Sequence, residues 1–404
     1  MKILYIATSF PEPEKGATIY TDLAEELYND GHQITVVVSE QTRNLSHNRL
    51  KKERGVDVLR VVVGNYYDVN FIAKGIVMVL LPFRMKRGIS KFFKNKNFDL
   101  ILFEAPPVTN AGIVSWAKKK FGCSSFLMMK DIFPQNAVDL GLMKKKSIIY
   151  NYFKKKEKDL YHSADIIGCM SKANRNYILK HNKELDSDNI VLFPNTKRVI
   201  NKTVDDELLS DNSTLREKYE IPLNACVFLF GGNMGRPQYI DLLVDAIVNL
   251  REDKAIYFMF VGRGTDRHLL EEAIVSHNIK NAKVVPNLPR DEYEKITELA
   301  DVGIIVLDPR FTIPNYPSRI LSYMEYAKPV LAATDMATDI RETINDAKCG
   351  RWIHSKDHDG FIEQIRAMAS SDNLKELGMN GRTYLEEQFS IKDSVKFFER
   401  FDNR

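Results

Sequence analysis

Short apolar runs alternate with amphipathic stretches along most of the chain, and this alternation limits the possible folds more than any other feature. The apolar run Lys2–Ala7 is followed by a helical pattern that places Ile19, Leu23 and Leu27 on one face, and then by a β-branched run at residues 33–38. A strand–helix–strand unit of this kind joins two parallel strands through a helix that covers the sheet. Because the unit recurs, the sequence predicts an α/β fold with parallel sheets.

The predicted strands fall into two groups that are separated by a polar stretch. The first group lies at residues 2–7, 33–38, 58–63, 99–103, 125–129 and 165–169, and the second at 226–230, 255–261, 282–285 and 301–306. Between them, Phe193-Pro194-Asn195 is a turn signal, and a polar stretch extends from there to about residue 224. This stretch is predicted to be the linker between two domains.

The length of the chain supports the same division. A chain of 404 residues is too long for one ordinary hydrophobic core. We predict two Rossmann-like domains, 1–195 and 196–390, with a helix at about 391–404 that packs back on the first. Ligands of such folds bind at the carboxyl ends of the strands, so the binding site is expected in a cleft that both domains face.

Composition and cysteine spacing exclude several classes of protein. The chain is 44% hydrophobic and 28% charged, which is typical of a globular protein and not of a disordered or membrane-spanning one. Its four cysteines show no paired spacing, which argues against a disulfide framework and a zinc site and indicates a reducing compartment. The segment MKILYIATSF does not resemble a signal peptide, and no apolar run reaches the ~20 residues needed to span a bilayer. We therefore expect a cytoplasmic protein.

Charge is distributed unevenly between the two halves of the chain. Residues 1–200 hold 32 Lys and Arg against 20 Asp and Glu, whereas the remaining residues hold 26 against 34. A basic half indicates an anionic partner, for which nucleic acid and an acidic membrane surface are the two candidates. No recognised nucleic-acid-binding motif accompanies the charge, so the membrane is favoured.

Two basic stretches of the first half are candidates for that membrane contact. Residues 71–96 and 144–158 interleave lysines and arginines with apolar and aromatic residues, as an interfacial helix resting on anionic lipid does. The alternative is an amphipathic core helix with a basic outer face, and we favour membrane contact. The basic residues predicted to make it are Lys74, Arg84, Lys86, Arg87 and Lys91.

The most specific ligand-binding signal is the sequence GGNMGR at residues 231–236. It follows an apolar strand and precedes an amphipathic helix, so Gly232 and Gly235 would let the backbone approach an anion closely. Asn233 lies in the same loop, and the Arg236 guanidinium is suited to bind a phosphate with two hydrogen bonds. A plain glycine-rich turn is an equally weighted alternative.

A second anion-binding signal is the sequence NYPSR at residues 315–319, at the start of a helix predicted over 317–327. Proline marks the first helical turn, and Arg319 lies where free N–H groups already favour an anion. Ser318, Ser322 and Glu325 share the polar face of this helix. The alternative, a solvated helix face, is favoured when the segment is considered by itself.

Other signals are weaker or absent. The turn after the first strand lacks G-x-G-x-x-G, which argues against an NAD enzyme, and no P-loop, H-E-x-x-H or G-x-S-x-G occurs. The turn VGRG at residues 261–264, which contains Arg263, is too short for a dinucleotide fingerprint and is more often structural. Glu104 and Asp131 end predicted strands, where a carboxylate can bind a hydroxyl or accept a proton. For both, a loop or capping acid is the alternative.

Several segments, taken in order, resemble those of a known family along nearly the whole chain. That family is the GT4-type retaining glycosyltransferases, especially those that build bacterial capsule, O-antigen or exopolysaccharide repeat units. The similar segments include MKILYIATSFPEPEKGATIYTDLAEELYNDGHQITVV, KDIFPQNAVDLGLM, FGGNMGRPQYIDLL, FMFVGRGTDRHLLEEA and NYPSRILSYMEYAKPVLAATD. The resemblance implies the GT-B fold, in which two Rossmann-like domains face a cleft.

The resemblance also implies a reaction and its substrates. It implies a hexosyltransferase that moves a sugar from a nucleotide-sugar donor, expected to be a UDP-sugar, with retention and with no metal or cofactor. The acceptor is expected to be a polyprenyl-diphosphate-linked saccharide, and the enzyme is expected to lie peripherally on the inner face of the cell membrane. The residues implied to bind the donor are Gly16, Gly232, Asn233, Gly235, Arg263, Asn287, Ser318, Ser322 and Glu325.

The sequence departs from the family at two places. Asn233 and Gln238 stand where many relatives carry Arg and Lys, and Pro314 and Ser322 stand where relatives carry two glutamates. Glu325, one turn beyond Ser322 on the same face, is expected to replace the missing carboxylate.

These departures assign the catalytic roles to other residues. Arg236 and Arg319 are expected to stabilise the negative charge that builds on the leaving diphosphate. Asp131 or Glu104 is expected to orient the acceptor hydroxyl. Two other functions stay open: a nucleotide-sugar epimerase of the GT-B fold, and a non-catalytic sugar-nucleotide-binding partner, to which the serine at 322 lends weight.

Overall fold

The computed structural model describes residues 1–65, 71–199 and 207–402, with side chains described except at 71–76, 78, 79, 207–212 and 402. The chain divides into two compact units. Unit 1 comprises Met1–Thr196 and Ile391–Arg404, and unit 2 comprises Lys197–Ser390. The boundary predicted after residue 195 lies one residue from this division.

Unit 1 is built on a sheet whose order is β3-β4-β2-β1-β5-β6-β7-β8 in the part of the chain that is described. All neighbouring strands are parallel except β3 and β4, so the predicted parallel sheet is confirmed. Its strands are β1 (Lys2–Ala7), β2 (Gln33–Glu40), β3 (Arg49–Glu53), β4 (Val56–Val62), β5 (Leu100–Ala105), β6 (Ser124–Met129), β7 (Ile166–Cys169) and β8 (Ile190–Leu192). Its first helices are α1 (Ile19–Asn29), α2 (Phe71–Phe92), α3 (Ala111–Phe121), α4 (Gln135–Asp139), α5 (Ile148–Ser163) and α6 (Lys172–His181).

Helix α1 shows how local sequence sets an element. Thr18 caps it: the Thr21 N–H donates to Thr18 Oγ1 over 3.2 Å, and the Thr18 N–H donates to Thr21 Oγ1 over 2.8 Å. Leu23 and Leu27, one turn apart, then bury the face that packs on the sheet. The predicted strand–helix–strand unit at the N-terminus therefore forms as expected.

Unit 2 has a sheet of order β11-β10-β9-β12-β13-β14, and all its neighbouring strands are parallel. Its strands are β9 (Cys226–Asn233), β10 (Ile256–Arg263), β11 (Ala282–Val285), β12 (Val302–Val306), β13 (Val330–Thr334) and β14 (Gly350–His354). Its helices are α7 (Glu207–Lys218), α8 (Ile240–Asn249), α9 (Arg267–Ser276), α10 (Arg290–Leu299), α11 (Arg319–Glu325), α12 (Ile340–Ala347), α13 (His358–Ala369) and α14 (Leu374–Gln388). Counted within the unit, this is the doubly wound order 3-2-1-4-5-6, which reverses between β9 and β12.

The last helix returns to unit 1. Helix α15 (Ile391–Asp402) buries Ile391, Val395 and Phe398 in the core of that unit. The Phe398 ring lies 5.4 Å from Phe126 and 5.6 Å from Phe193, centroid to centroid. These aromatic contacts explain why the chain end belongs to the first unit and not to the second.

No helix in the three described ranges combines the length and the apolar character that crossing a bilayer requires.

Candidate functional site

The strongest candidate site lies where the strand order of unit 2 reverses, because ligands of doubly wound sheets bind at that point. Strands β9 and β12 pair at two positions, Phe228 with Val302 and Leu229 with Gly303. Beyond these positions the two strands diverge. The Tyr323 hydroxyl, from α11, fills the gap, 3.0 Å from the Leu229 carbonyl, and it accepts the Gly231 N–H over 3.2 Å. Tyr323 thus satisfies backbone groups that the parting strands would otherwise leave unpaired.

Glycines bring the loops after β9 and β10 into direct contact. A Cβ on Gly262 would lie 1.9 Å from the Gly232 carbonyl oxygen, and one on Gly264 would lie 2.2 Å from the Met234 oxygen. The Met234 N–H donates to the Arg263 carbonyl over 2.8 Å. Only glycine permits this approach. The VGRG turn is therefore structural, and it supports the GGNMGR loop from behind.

Arg319 presents an unpaired positive charge beside that loop. A Cβ on Gly232 would lie 3.9 Å from Arg319 Nη2, and Gly232 itself has φ +108°, a conformation that favours glycine. The Arg319 Cζ lies 4.3 Å from the centroid of the Phe230 ring, and its Nη1 is buried without a hydrogen-bond partner. No carboxylate of the described residues forms an ion pair with it. Burial lowers the pKa of Arg319, while Tyr323 and Tyr293 act in the opposite direction.

An unpaired guanidinium at this point is costly unless an anion binds there. The structure brings the predicted pair Gly232 and Arg319 together, next to an exposed glycine backbone. This arrangement is suited to a phosphate or diphosphate, which would receive hydrogen bonds from the guanidinium and from loop amides.

The other side chains of the loop either form hydrogen bonds within the loop or are exposed. Asn233 Nδ2 donates to Gln238 Oε1 over 2.9 Å, and the Gly235 N–H reaches the same oxygen over 3.4 Å. These side chains close the loop on itself. The Arg236 side chain is exposed and has no ion pair with the residues described. A 3-10 helix and Tyr239 lie between this loop and α8, which begins at Ile240.

Three further residues predicted to bind the donor lie exposed at the ends of elements. Arg263 ends β10, Asn287 follows β11, and Ser318 caps α11. Their exposure leaves them available to a ligand. Arg263 lies within the VGRG turn that contacts the GGNMGR loop.

The prediction for Glu325 needs correction. Glu325 was expected on an open polar face, but its side chain is buried and forms an ion pair with Lys197. Lys197 Nζ also donates to Ser322 Oγ over 3.2 Å. The sequence could not indicate this, because Lys197 precedes α11 by more than a hundred residues. Ser322 and Glu325 together hold the start of unit 2 against α11.

In unit 1, Glu104 also differs from the prediction. Its carboxylate was expected to be open to an acceptor, but it is buried, accepts the Tyr5 hydroxyl and lies 3.4 Å from the Thr8 N–H. Burial raises the pKa of Glu104. The physical reason is that Glu104 lies on β5, next to strand β1, so its carboxylate meets the buried Tyr5 hydroxyl of that strand.

Lys130 belongs to the same buried polar group, and sequence reasoning overlooked it. Its Nζ donates to Asn195 Oδ1 over 2.8 Å and lies 5.1 Å from the centroid of the Tyr20 ring. Burial lowers the pKa of Lys130 to about 8, although the nearby Glu104 raises it. The signal available in the sequence was a lysine directly before Asp131 at a predicted strand end.

The Asp131 residue is partly exposed to solvent. The Ile132 N–H donates to Asp131 Oδ1 over 2.7 Å, and Asn136 Nδ2 donates to the other carboxylate oxygen. Burial raises the pKa of Asp131 to about 6, and those two hydrogen bonds lower it. Half-buried at the end of β6, this carboxylate is better placed than Glu104 to meet a hydroxyl.

Gly16 lies in unit 1, in the loop after β1. It has φ +106° and ends a 3-10 helix at Pro13–Lys15, and its carbonyl oxygen accepts a hydrogen bond from Arg54. A Cβ at this position would meet nothing within 4 Å, so the left-handed backbone, and not crowding, explains the glycine.

In helix α2 an apolar face is buried and basic side chains lie on the exposed face, which is the pattern of the alternative, an amphipathic core helix. Leu81, Met85 and Ile89 are buried, whereas Arg87 and Lys91 are exposed. Lys86 is half-buried, and the Arg84 guanidinium donates to the Val63 carbonyl over 2.6 Å. The Lys74 side chain lies outside the described part of the structure.

A second surface of unit 1, at the start of α5, exposes large apolar side chains. Ile148 is 89% exposed and Leu142 is 59% exposed, and both Ile149 and Tyr152 are exposed as well. Exposed lysines at 144–146 precede the helix. This combination of apolar side chains and cations is unusual for a surface in water and is typical of a lipid interface.

Among the residues that the structure describes, no group of three or more His, Cys, Asp or Glu is arranged to hold a metal ion. The four cysteines are free thiols.

Comparison with known families gives a match in the second unit. Residues 211–383 match the family described as "Glycosyl transferases group 1". The matched residues lie within unit 2 and include the GGNMGR loop and Arg319.

Alignments with named relatives cover most of the chain. The chain is 24% identical to the probable glycosyltransferase WbjE of Pseudomonas aeruginosa over 331 residues, which is 78% of this chain and 79% of WbjE. It is 22% identical to the putative colanic acid biosynthesis glycosyl transferase WcaI of Escherichia coli over 363 residues, which is 84% of this chain and 85% of WcaI. The chain thus has homologues among bacterial glycosyltransferases.

Solved structures share the fold over the full length. Sucrose-phosphate synthase from Thermosynechococcus elongatus aligns with a TM-score of 0.75 at 14% identity and covers 100% of this chain and 98% of its own. Anabaena Alr3699/HepE, in complex with UDP-glucose, aligns with a TM-score of 0.69 at 14% identity and covers 99% of this chain and 98% of its own. The predicted GT-B fold class, with two Rossmann-like parallel-sheet units, is confirmed.

Proposed function

We propose that this chain is a group 1 glycosyltransferase and that it transfers a sugar from a nucleotide-sugar donor to a lipid-linked saccharide acceptor with retention, a proposal supported by its similarity to bacterial glycosyltransferases. The observation that carries the proposal is the unpaired Arg319 guanidinium beside Gly232 at the strand-order reversal of unit 2. A buried cation without a carboxylate partner needs an anion, and a donor diphosphate supplies one.

The donor is proposed to be a UDP-sugar. HepE, which shares this fold, was solved with UDP-glucose bound, and this supports a nucleoside diphosphate sugar here. The diphosphate accepts hydrogen bonds from Arg319 and from the exposed Gly232 backbone, and Arg236 adds charge from the exposed side of the loop.

Catalysis follows from the charge that develops during the reaction. As the bond between the sugar and the diphosphate breaks, negative charge grows on the leaving group, and fixed guanidinium groups stabilise it more strongly than they stabilise the ground state. We propose that Arg319 and Arg236 provide this stabilisation without a metal ion or another cofactor. Asp131 of unit 1 is proposed to orient the acceptor hydroxyl, with its carboxylate held by the Ile132 N–H and the Asn136 side chain.

The acceptor is proposed to be a polyprenyl-diphosphate-linked saccharide at the inner face of the cell membrane. Two surfaces of unit 1 support this: the basic face of α2 and the apolar, lysine-flanked start of α5. WcaI is named for colanic acid biosynthesis, and the proposal extends that type of product to this chain.

The decisive test replaces the two guanidinium groups. Arg319→Ala and Arg236→Ala should each lower the rate of nucleoside diphosphate release by about 100- to 1,000-fold, the loss seen when one transition-state hydrogen-bond donor is removed. Arg341→Ala is the matched control, because Arg341 lies on α12 and already pairs with Glu342 over 3.0 Å. Wild-type release rates in both test variants would contradict the assignment.

A donor screen separates the proposed transferase from the two alternatives. UDP-, GDP- and ADP-sugars are incubated with and without membrane lipid extract, and nucleoside diphosphate release is measured. A transferase should release nucleotide faster when lipid acceptor is present. Release without acceptor together with an epimeric sugar would indicate an epimerase, and binding without turnover across the panel would indicate a non-catalytic partner.

A further inference from the structure

Tyr239 adopts a backbone conformation that a bulky residue rarely takes. It has φ +42° and ψ +60°, in the left-handed region, and it lies between the 3-10 helix Arg236–Gln238 and the first residue of α8. For an aromatic residue this conformation is a genuine outlier that the surrounding structure must stabilise. A glycine would adopt it without strain. The retained side chain must therefore offer something that glycine cannot.

The Tyr239 side chain is held by a chain of two hydrogen bonds. Its hydroxyl lies 3.0 Å from His358 Nε2, and His358 Nδ1 lies 2.5 Å from Asp245 Oδ2. Because the carboxylate can only accept, Nδ1 carries a proton, and in the neutral imidazole Nε2 accepts from the tyrosine hydroxyl. In this arrangement the hydroxyl donates to the imidazole and the imidazole donates to the carboxylate, so each of the three groups has a hydrogen-bond partner.

This chain of bonds connects three separate pieces of unit 2. Tyr239 ends the turn that follows the GGNMGR loop, Asp245 lies on α8, and His358 is the first residue of α13. The backbone continues the connection, because the Tyr239 N–H donates to the Arg236 carbonyl over 3.2 Å and the Gln238 N–H donates to the Gly235 carbonyl over 2.9 Å. The end of the loop is thus tied to two helices whose other faces are in the core.

We propose that Tyr239, His358 and Asp245 position the GGNMGR loop, and that Tyr239 is a positioning residue for the donor diphosphate. The two hydrogen bonds form a tether that sets the backbone position of Arg236 and the direction of the loop amides. In this proposal none of the three tether side chains contacts the ligand. The effect that this positioning has on catalysis rests on the proposed function. Its consequence for the loop itself does not depend on any ligand.

The first experiment measures the loop directly. Tyr239→Phe removes the first bond of the tether and His358→Gln disrupts both bonds. Amide hydrogen exchange is followed by mass spectrometry across residues 231–239 of the intact protein without ligand. Both variants should exchange faster in this segment and at wild-type rates in β10 and in residues 226–230 of β9. Tyr257→Phe is the matched control, because it removes the buried hydrogen bond from that hydroxyl to the Tyr219 carbonyl, 2.8 Å long, away from the loop.

The second experiment measures the consequence for binding. The dissociation constants of UDP, GDP and ADP are measured by calorimetry, and the donor KM and kcat by nucleotide release. Each tether variant should raise the dissociation constant and KM for the donor about five-fold, as expected for one lost hydrogen bond, with a smaller change in kcat. Tyr257→Phe should lower thermal stability but leave the dissociation constant unchanged.

A double variant separates positioning from simple relief of strain. Tyr239→Gly removes both the strain and the tether, so its thermal stability should be maintained while loop exchange rises. Adding His358→Gln to Tyr239→Gly should cause no further change in exchange or affinity, because the two residues act through one chain of bonds.

The outcomes distinguish this inference from the proposed function. Unchanged exchange across residues 231–239 in both tether variants would overturn the positioning role, whatever the enzyme transfers. Faster exchange in a protein that binds none of the three nucleotides would support the tether and count against the proposed donor. Faster exchange with wild-type nucleotide affinity would overturn the link between the tether and the diphosphate.

Discussion

At the scale of single residues, function depends on which charges the fold leaves unpaired. Arg310 and Arg319 both belong to the segment between β12 and β13, yet Arg310 makes hydrogen bonds of 2.8 and 2.6 Å to Asp308, whereas Arg319 has a buried nitrogen without a partner. The first is a satisfied structural ion pair. The second is available to a ligand, and this difference is invisible in the sequence.

Asp131 gives a pH prediction at the same scale. Its pKa of about 6 lies well above the ordinary 3.8, so its carboxylate forms only as pH rises through about 6. If this carboxylate orients the acceptor, kcat/KM should fall below pH 6, about ten-fold per pH unit well below the pKa. The measurement is a pH–rate profile with donor at a fixed concentration.

Stability should change in the opposite direction over the same range. Because the native state holds a proton on Asp131 that the unfolded state has already lost between about pH 4 and 6, the contribution of this group to stability decreases as pH rises through that window. Asp131→Asn should remove both trends. An unchanged acid limb of the activity profile in that variant would assign the titration to another group.

At the scale of elements, the site depends on close contact between backbone segments. The Gly232 carbonyl leaves no room for a side chain on Gly262, and the Tyr323 ring leaves none on Gly303, where a Cβ would lie 2.3 Å from ring carbons. These two glycines let the loop after β9 rest on β10, and let α11 carry Arg319 close to Phe230.

Gly262→Ala tests this contact. The added methyl group must displace the Gly232 carbonyl, so unit 2 should lose about 1–3 kcal/mol of unfolding free energy, the usual cost of overpacking. Nucleotide affinity should fall as well, since Gly232 moves relative to Arg319. The readouts are denaturant unfolding and UDP calorimetry.

Gly112→Ala is the matched control for that substitution. Gly112 lies in helix α3 of unit 1, where the nearest atom to an added Cβ is Lys86 Nζ at 3.9 Å. Replacing a helical glycine in open space should be neutral or stabilising by up to about 1 kcal/mol. Equal losses at the two positions would show that the contact at Gly262 has no special importance.

Some elements were predictable from the sequence and others were not. The buried strands follow from their short continuous apolar runs, and the amphipathic helix α8 follows from the helical period of its apolar residues. The short edge strands β3 and β8 and the helix α7, which lies in the segment predicted as a linker, carry little apolar pattern. The helix predicted over 317–327 is shorter, ending at Glu325, because Ala327 takes φ +48°.

At the scale of the whole molecule, the uneven distribution of charge is the feature with a testable consequence. Lys86, Arg87 and Lys91 lie on one helix of the basic half, and each cation near an acidic surface adds about 1 kcal/mol of attraction. Replacing all three with Glu should lower binding to anionic vesicles at least about a hundred-fold. The measurement is co-sedimentation with vesicles of phosphatidylglycerol and phosphatidylethanolamine.

A control for net charge comes from unit 2. Lys254, Lys280 and Lys356 are exposed there, and replacing them with Glu changes the charge of the molecule by the same amount. This variant should bind vesicles almost as the wild type does. Equal losses in the two triple variants would point to a non-specific effect of charge, and unchanged sedimentation of the α2 variant would contradict the membrane proposal.

The sequence by itself determined the fold class, the two-unit organisation and the loop that carries the candidate site, because these depend on local patterns: hydrophobic period, turn residues and glycines after strands. Only the tertiary structure decided which charged groups are free. Lys197 reaches Glu325, Tyr5 reaches Glu104 and His358 reaches Tyr239 across roughly 100 residues or more of chain, whereas no acid reaches Arg319 in the part of the chain that is described. Pairing of charges depends on distance in space, and a linear pattern carries no information about which distant side chains will meet.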